Sequence, residues 1–306
     1  MKKIFATVLA LTMALSLAAC GAKEQAAPSA PAASAPAASA PAASAPAASA
    51  PAASAPAEAG LTTVNPGKLT VATSPDFAPY EFYAIDDAGN PQLAGFDMAL
   101  AQYIADYLGL ELEVVPMDFD GTILELQNKK VDLGMAGYSP DPDRADAMDF
   151  SDIYISGGQA FVCLDGNAEQ FPDLAAANNA ELTIGAQIGS IQADLAKEHT
   201  PDADIIEMAK VTDIIAELIT GKMDGAFIET MVAESYEKNY PELCVVLDVP
   251  YEAEGSVVGV YKGNEALLKG VNEAIAAALA DGSMSDFVAE ANELASGNIH
   301  EGLLAG

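Results

Sequence analysis

Ala136-Gly-Tyr-Ser-Pro-Asp-Pro-Asp-Arg144 is the stretch on which the fold turns. It follows an apolar run, residues 131–135, with the length of a buried strand. It ends at an arginine that opens a helical pattern. Ser139 stands where an N-cap is expected, with Pro140 at the first helical position. A hydroxyl, a guanidinium and the unpaired N–H groups of a helix start are thus expected at one strand-to-helix junction. That set suits a carboxylate, since a helix start offers free donors and arginine offers a two-pronged fork. Taken alone, these residues also fit a capped surface helix with a solvated arginine.

Upstream, residues 68–73 read as a strand, followed by a loop with Pro75 and Pro79. Phe96, Leu100, Ile104 and Leu108 recur every fourth residue, so 96–108 is a helix, ended by Gly109. A strand at 110–115 and a helix capped by Asp120 and running to about residue 129 lead to the 131–135 strand. Strand, helix, strand, helix, strand argues for a parallel sheet covered by helices. Ligands in such sheets sit at the carboxyl ends of strands, which points to the loops after Thr73, Val115 and Met135. A second set follows, with strands at 159–164, 182–185, 203–207, 225–228, 243–247 and 257–260. Ser190 caps one helix, Gly221 stops another at 211–219, and a third begins near Glu229. Two apolar-faced helices, 265–280 and 283–294, close the chain around Asp281-Gly282; their spacing is that of core, not of a membrane span.

The chain has 306 residues and a formal net charge of -32. That acidity argues against nucleic acid and anionic surfaces as partners. His199 and His300 are expected in solvent, and no metal-ligand spacing, phosphate loop or nucleophile elbow is present, so no cofactor or metal is expected. Cys163 and Cys244 each lie in an apolar run and read as buried free thiols. A disulfide between them requires their strands to be neighbours.

Residues 1–19 carry Lys2 and Lys3, an apolar core and small residues before Cys20, the pattern of a secretory signal. Residues 20–66 read as anchor and tether. From 26 to 57 the chain repeats Pro-Ala-Ala-Ser-Ala, which builds no core. At about 3.1 Å per residue it reaches roughly 100 Å when extended.

The globular part resembles the solute-binding proteins of bacterial polar amino-acid ABC importers, closest in pattern to glutamine-binding members. The matching residues are Leu69-Thr-Val-Ala-Thr73, Phe77-Ala-Pro79, Gly95-Phe-Asp97, Pro116-Met-Asp-Phe-Asp-Gly121, Val131-Asp-Leu133, the 136–144 stretch, and Asp149-Phe-Ser-Asp152 with Tyr154. In the second half they are Ile184-Gly185, Ile188-Gly-Ser190, Gly221-Lys-Met-Asp224 and Asp281-Gly282. Leu17-Ala-Ala-Cys20 resembles a bacterial lipobox, which implies cleavage before Cys20 and a lipid on its sulfur.

The resemblance implies an α/β, two-lobed type II periplasmic-binding fold, with mainly parallel sheets joined by two crossing segments near 157–159 and 250–254. Lobe 1 would be residues 67–158 plus 251–306, and lobe 2 residues 159–250. An amino acid would bind between them and the lobes would close by hinge motion. Arg144 matches the arginine that grips the ligand α-carboxylate, with the hydroxyl of Ser139 and the backbone of Gly137 beside it. Ser190 and Ile191 match a loop whose N–H groups help hold that carboxylate. Glu229 matches the acid that pairs with the α-ammonium, usually aspartate in relatives. Phe77 and Phe119 match aromatics that pack on the ligand side chain.

Tyr138 is bulkier than the usual residue, Ser74 replaces an acid that grips basic side chains, and Gln187 departs from the glutamine-binding pattern. The missing acid favours a neutral polar ligand such as glutamine. The resemblance further implies a monomeric receptor outside the cytoplasm, lipid-anchored to the cell membrane and partnered by an ABC permease. The alternatives are a cyclohexadienyl-dehydratase-like enzyme and a surface lipoprotein without a transporter.

Overall fold

The computed structural model describes residues 61–86, 88–251 and 255–298. The signal segment, Cys20, the repeats, His300 and residues 252–254 of the second crossing segment lie outside the described residues. The described residues fall in one compact unit, and none of their helices is long and apolar enough to cross a membrane.

The first half opens with β1 (Lys68–Thr73), β2 (Asp76–Phe77), β3 (Glu81–Ile85) and β4 (Pro91–Ala94). Then come α1 (Phe96–Leu108), β5 (Glu111–Pro116), α2 (Phe119–Gln127), β6 (Leu133–Gly134) and β7 (Met148–Phe150). The second half has β8 (Gln159–Leu164), α3 (Leu174–Ala177), β9 (Thr183–Gln187), α4 (Ile191–His199) and β10 (Asp204–Met208). It continues with α5 (Val211–Ile219), β11 (Gly225–Glu229), α6 (Thr230–Asn239) and β12 (Leu243–Val249). The chain then returns through β13 (Gly259–Tyr261), α7 (Glu265–Asp281) and α8 (Ser283–Asn298).

Two five-stranded sheets result, ordered β5-β1-β6-β13-β7 and β10-β9-β11-β8-β12. In each, four strands run one way and the fourth in order, β13 or β8, runs against its neighbours. β1 is buried nearly throughout, as a parallel strand covered on both faces must be. α1 packs on α7 and α8, and α6 on α8 and β12. One apolar cluster runs from Leu69 and Val71 through Tyr80 and Tyr154 to Val162 and Ile228, so the core is continuous between the sheets. The segments between the halves are paired with each other, at the Ile155–Ser256 bridge and at Gln159 opposite Val249.

Four local expectations change. The helix at 119–127 has Asp118, not Asp120, as its N-cap residue, and Asp120 instead accepts the N–H of Gly121 at 2.9 Å. The helix expected from Pro140 is a single 3-10 turn, Pro142–Arg144, capped by Asp141, whose carboxylate takes the Asp143 N–H at 2.9 Å. Of the two cap-and-proline pairs, Ser139-Pro140 and Asp141-Pro142, the second is the one used, with the acid as cap and the proline at the first turn position. The loop holding Pro75 and Pro79 contains β2, which joins β3 and β4 in a small third sheet. Residues 61–66, expected in the tether, already bond to the fold: Val64 N donates to Asp132 Oδ1 at 2.8 Å and Asn264 Nδ2 to the Thr62 carbonyl at 3.0 Å.

Candidate functional site

The irregular loop after β6 carries Gly137, Ser139 and Arg144. Gly137 has φ +58, and a Cβ there would lie 2.6 Å from the Phe77 ring, so only glycine lets Phe77 close over the loop. The Gly137 N–H donates to Asp97 Oδ2 at 3.2 Å, which leaves its carbonyl as the group able to meet a ligand. Ser139 is buried. The loop is pinned by Val257 N on the Tyr138 carbonyl at 2.8 Å and by the Tyr251 hydroxyl on the Pro140 carbonyl at 3.3 Å.

Arg144 reaches out of the first half. Its Nη2 donates to the Gly189 carbonyl at 3.0 Å, its Nε lies 3.5 Å from Asp141 Oδ2, and its guanidinium stands 5.7 Å from the centre of the Phe119 ring. Gly189 precedes the start of α4, where Ser190 is the cap. Ser190 Oγ donates to the Gln187 carbonyl at 2.7 Å and accepts the Ala193 N–H at 3.3 Å. The Ser190 N–H also turns back to Gln187, at 3.2 Å. A cationic fork therefore meets the positive end of a helix, with Ile191 in its first turn.

Glu229 ends β11 and caps α6: its Oε2 accepts the Val232 N–H at 2.9 Å. Its Oε1 is buried and meets no donor in hydrogen-bonding geometry. Oε1 and the Tyr80 hydroxyl both border Gly157, where a Cβ would come within 2.8 Å of Oε1 and 3.3 Å of the hydroxyl. Burial, only partly opposed by hydrogen bonding such as that from the Val232 N–H, pushes Glu229 up to about 7. Glu229 lines a cavity of about 710 Å³ with Gly157, Gln159 and Tyr251. A cavity of about 860 Å³ on the Arg144 side is lined by Asp141, Ile191 and Tyr251. Arg144 lines neither.

Three further acids, given no role by the sequence, are buried in the first half. Asp76 Oδ1 accepts the Ser74 hydroxyl at 2.8 Å. Its Oδ2 accepts Val211 N–H at 2.6 Å and Gln187 Nε2 at 3.2 Å, both from the second half. Burial raises Asp76 to about 6 against these bonds. Asp97 accepts the Tyr154 hydroxyl at 2.7 Å and is likewise raised by burial to about 6. Glu81 is fully buried beside Asp97. Desolvation, then the charges of Asp97 and Asp76, raises it well above the usual carboxylate range.

Phe77 and Phe119 are buried but for their edges, Phe77 5.5 Å from Tyr80 and Phe119 5.6 Å from Tyr138. Tyr138 turns away from the others. Its ring packs on Gly134 and Gly259, and its hydroxyl pairs with Thr122 in the core. The glycines of two neighbouring strands make room for the extra bulk. Asp97 closes the Gly95-Phe-Asp97 motif and Asp76 adjoins Phe77, but nothing in a linear pattern separates a buried acid from one complementing a strand or helix start. Among the described residues no group of His, Cys, Asp and Glu is placed to hold a metal ion.

The two sheets and their crossing ribbon define a periplasmic-binding-type protein. A family model of bacterial extracellular solute-binding proteins, family 3, matches residues 69–290, and the chain belongs to that family. It is 34% identical over 203 residues to the arginine-binding extracellular protein ArtP of Bacillus subtilis, a match covering 65% of this chain and 76% of that protein. An amino-acid ABC transporter substrate-binding protein, AbpA, from Streptococcus pneumoniae, solved bound to L-arginine, superposes with a TM-score of 0.72 at 29% identity. That match covers 75% of this chain and 96% of the other. A cyclohexadienyl dehydratase of Pseudomonas aeruginosa is 27% identical over 180 residues, covering 59% of this chain and 66% of the enzyme.

Proposed function

We propose that the chain is the amino-acid receptor of an ABC importer, held outside the cell by a lipid on Cys20, and that it captures a cationic amino acid, L-arginine first. The observation that carries this is Arg144 reaching Gly189 at the start of α4. A ligand α-carboxylate would displace that carbonyl and take the fork and the Ile191 N–H together. Glu229 would take the ammonium with its unpartnered oxygen. A zwitterion leaving water needs both charges compensated. Because the two partners come from opposite halves, the ligand favours the arrangement in which the halves meet.

The preference for glutamine rested on Ser74 lacking a charge. Its hydroxyl lies 2.8 Å from the Asp76 carboxylate, so an acid is present two residues on. Asp76 lines a cavity of about 220 Å³ with Ser74, Met117 and Lys210, so a carboxylate stands where Ser74 itself offers none. That acid would suit a ligand with an extra positive charge. ArtP and AbpA, both named for or solved with arginine, support the same choice. Titration calorimetry with L-arginine and L-glutamine tests it. Arginine is expected to bind at least tenfold more tightly; the reverse order restores the neutral ligand, and binding of neither overturns the receptor.

A second reading, a dehydratase, is supported by the cyclohexadienyl dehydratase relative; Glu229, raised by burial to about 7, would suit its general acid. Incubation with prephenate is expected to give no aromatic product, and turnover would promote the enzyme.

A further inference from the structure

Cys163 on β8 and Cys244 on β12 stand directly opposite one another in an antiparallel pair. Two residues along, Asp165 N–H donates to the Glu242 carbonyl at 2.8 Å, which sets the phase of the ladder. The cysteines therefore occupy a hydrogen-bonded position, where Cα atoms are about 5.5 Å apart. That lies within the roughly 4.4–6.8 Å span of disulfides. Side chains at paired positions share a face. β12 is an edge strand with a bulge between Val245 and Leu247, so it has a free side on which to adjust.

We propose that Cys163 and Cys244 are a disulfide-forming pair that locks β12 to β8 once the folded chain meets a thiol-exchanging oxidant. Both are thiols in this structure. Cys244 is half-buried, while Cys163 packs in the core of the second half with Phe161 and Phe171. A small disulfide reagent thus reaches Cys244 first. The Cys244 thiolate attacks it, forming a mixed disulfide and releasing one thiol. Cys163 then gives up its proton and attacks Cys244 Sγ, and the second thiol leaves. The protein loses two electrons and two protons, and the reagent is reduced to two thiols. The family is extracellular, where such bonds persist. The loop so closed contains β9, β10 and β11 and helices α3 to α6, nearly all of the second half. Burial pushes the Cys163 thiol up to about 12 and raises Cys244 too, so closure is slow at neutral pH and faster in base.

The test is peptide mapping of the folded full chain after incubation with oxidised glutathione at about pH 8.5, with free thiols blocked by N-ethylmaleimide and digestion without reductant. A linked peptide pair carrying Cys163 and Cys244, lost on dithiothreitol treatment, is expected. The oxidised chain should melt roughly 5–15 °C higher than the reduced one. A Cys163→Ala/Cys244→Ala double variant should show no redox dependence of melting. Both cysteines remaining fully alkylated, Cys20 taking one of them as partner, or a redox shift surviving in the double variant would each overturn the proposal.

Discussion

Strands β6 and β11 hold the same third place in their sheets, yet the chain leaves them in opposite ways. After β6 it runs through a loop with a left-handed glycine into a single 3-10 turn that ends at Arg144. After β11 a helix begins at the next residue, with Glu229 as its cap. The first exit gives reach: the guanidinium crosses to the other half. The second gives fixity: the carboxylate is 2% exposed and tied to backbone. Charge built into a strand end has its ionisation set by burial. Losing the arm should therefore cost affinity alone, and losing the strand-end acid should change how affinity depends on pH.

Replacing Arg144 with Ala is expected to weaken arginine binding by about 100-fold or more while the unliganded melting temperature stays within a few degrees. Calorimetry that shows unchanged affinity would break the comparison at its first term.

Glu229→Gln is expected to weaken binding by about tenfold at pH 8. The sign with pH follows from burial, which raises the carboxyl to about 7. Only the ionised form pairs with an ammonium, so the parent protein should lose about tenfold in affinity per pH unit below 7. The variant should lose that slope; an equally steep profile would show that another group titrates.

Asp76→Asn is expected to weaken binding by about threefold to tenfold, because Val211 N–H and Gln187 lose a charged acceptor shared between the halves. The Asp76 carboxyl is raised to about 6 from 3.8. Its contribution to stability is thus present below about pH 4 and lost as pH rises through 6. Thermal melts of the variant between those values should be flatter than those of the parent. On stability rather than affinity, Gly137→Ala is expected to destabilise by about 1–3 kcal/mol in denaturant melts, since the added methyl meets Phe77.

Periodicity made the helices legible: α1 and α5 match their expected bounds, and Gly109 and Gly282 end helices in the left-handed conformation. Sheet order was not legible, because pairing of β1 with both β5 and β6 is a long-range choice. The short strands β2, β3 and β4 were hidden by prolines that read as loop. Arg144 and Glu229 stood out through their motifs, and their partners in the fold did not. That Gly189 faces Arg144, or that Asp76 bridges the halves, depends on segments more than forty residues apart meeting across a gap. Tyr138 went the other way, a residue of a site motif whose ring belongs to the core.

The crossing ribbon has a mechanical corollary. Its two strands are bonded to each other on both sides of Gly157 and Gly158. Neither segment can therefore be displaced at these pairings without dragging the other. If one sheet swings against the other, the two segments would bend as a unit, and a single pair of dyes placed across the gap would register that movement.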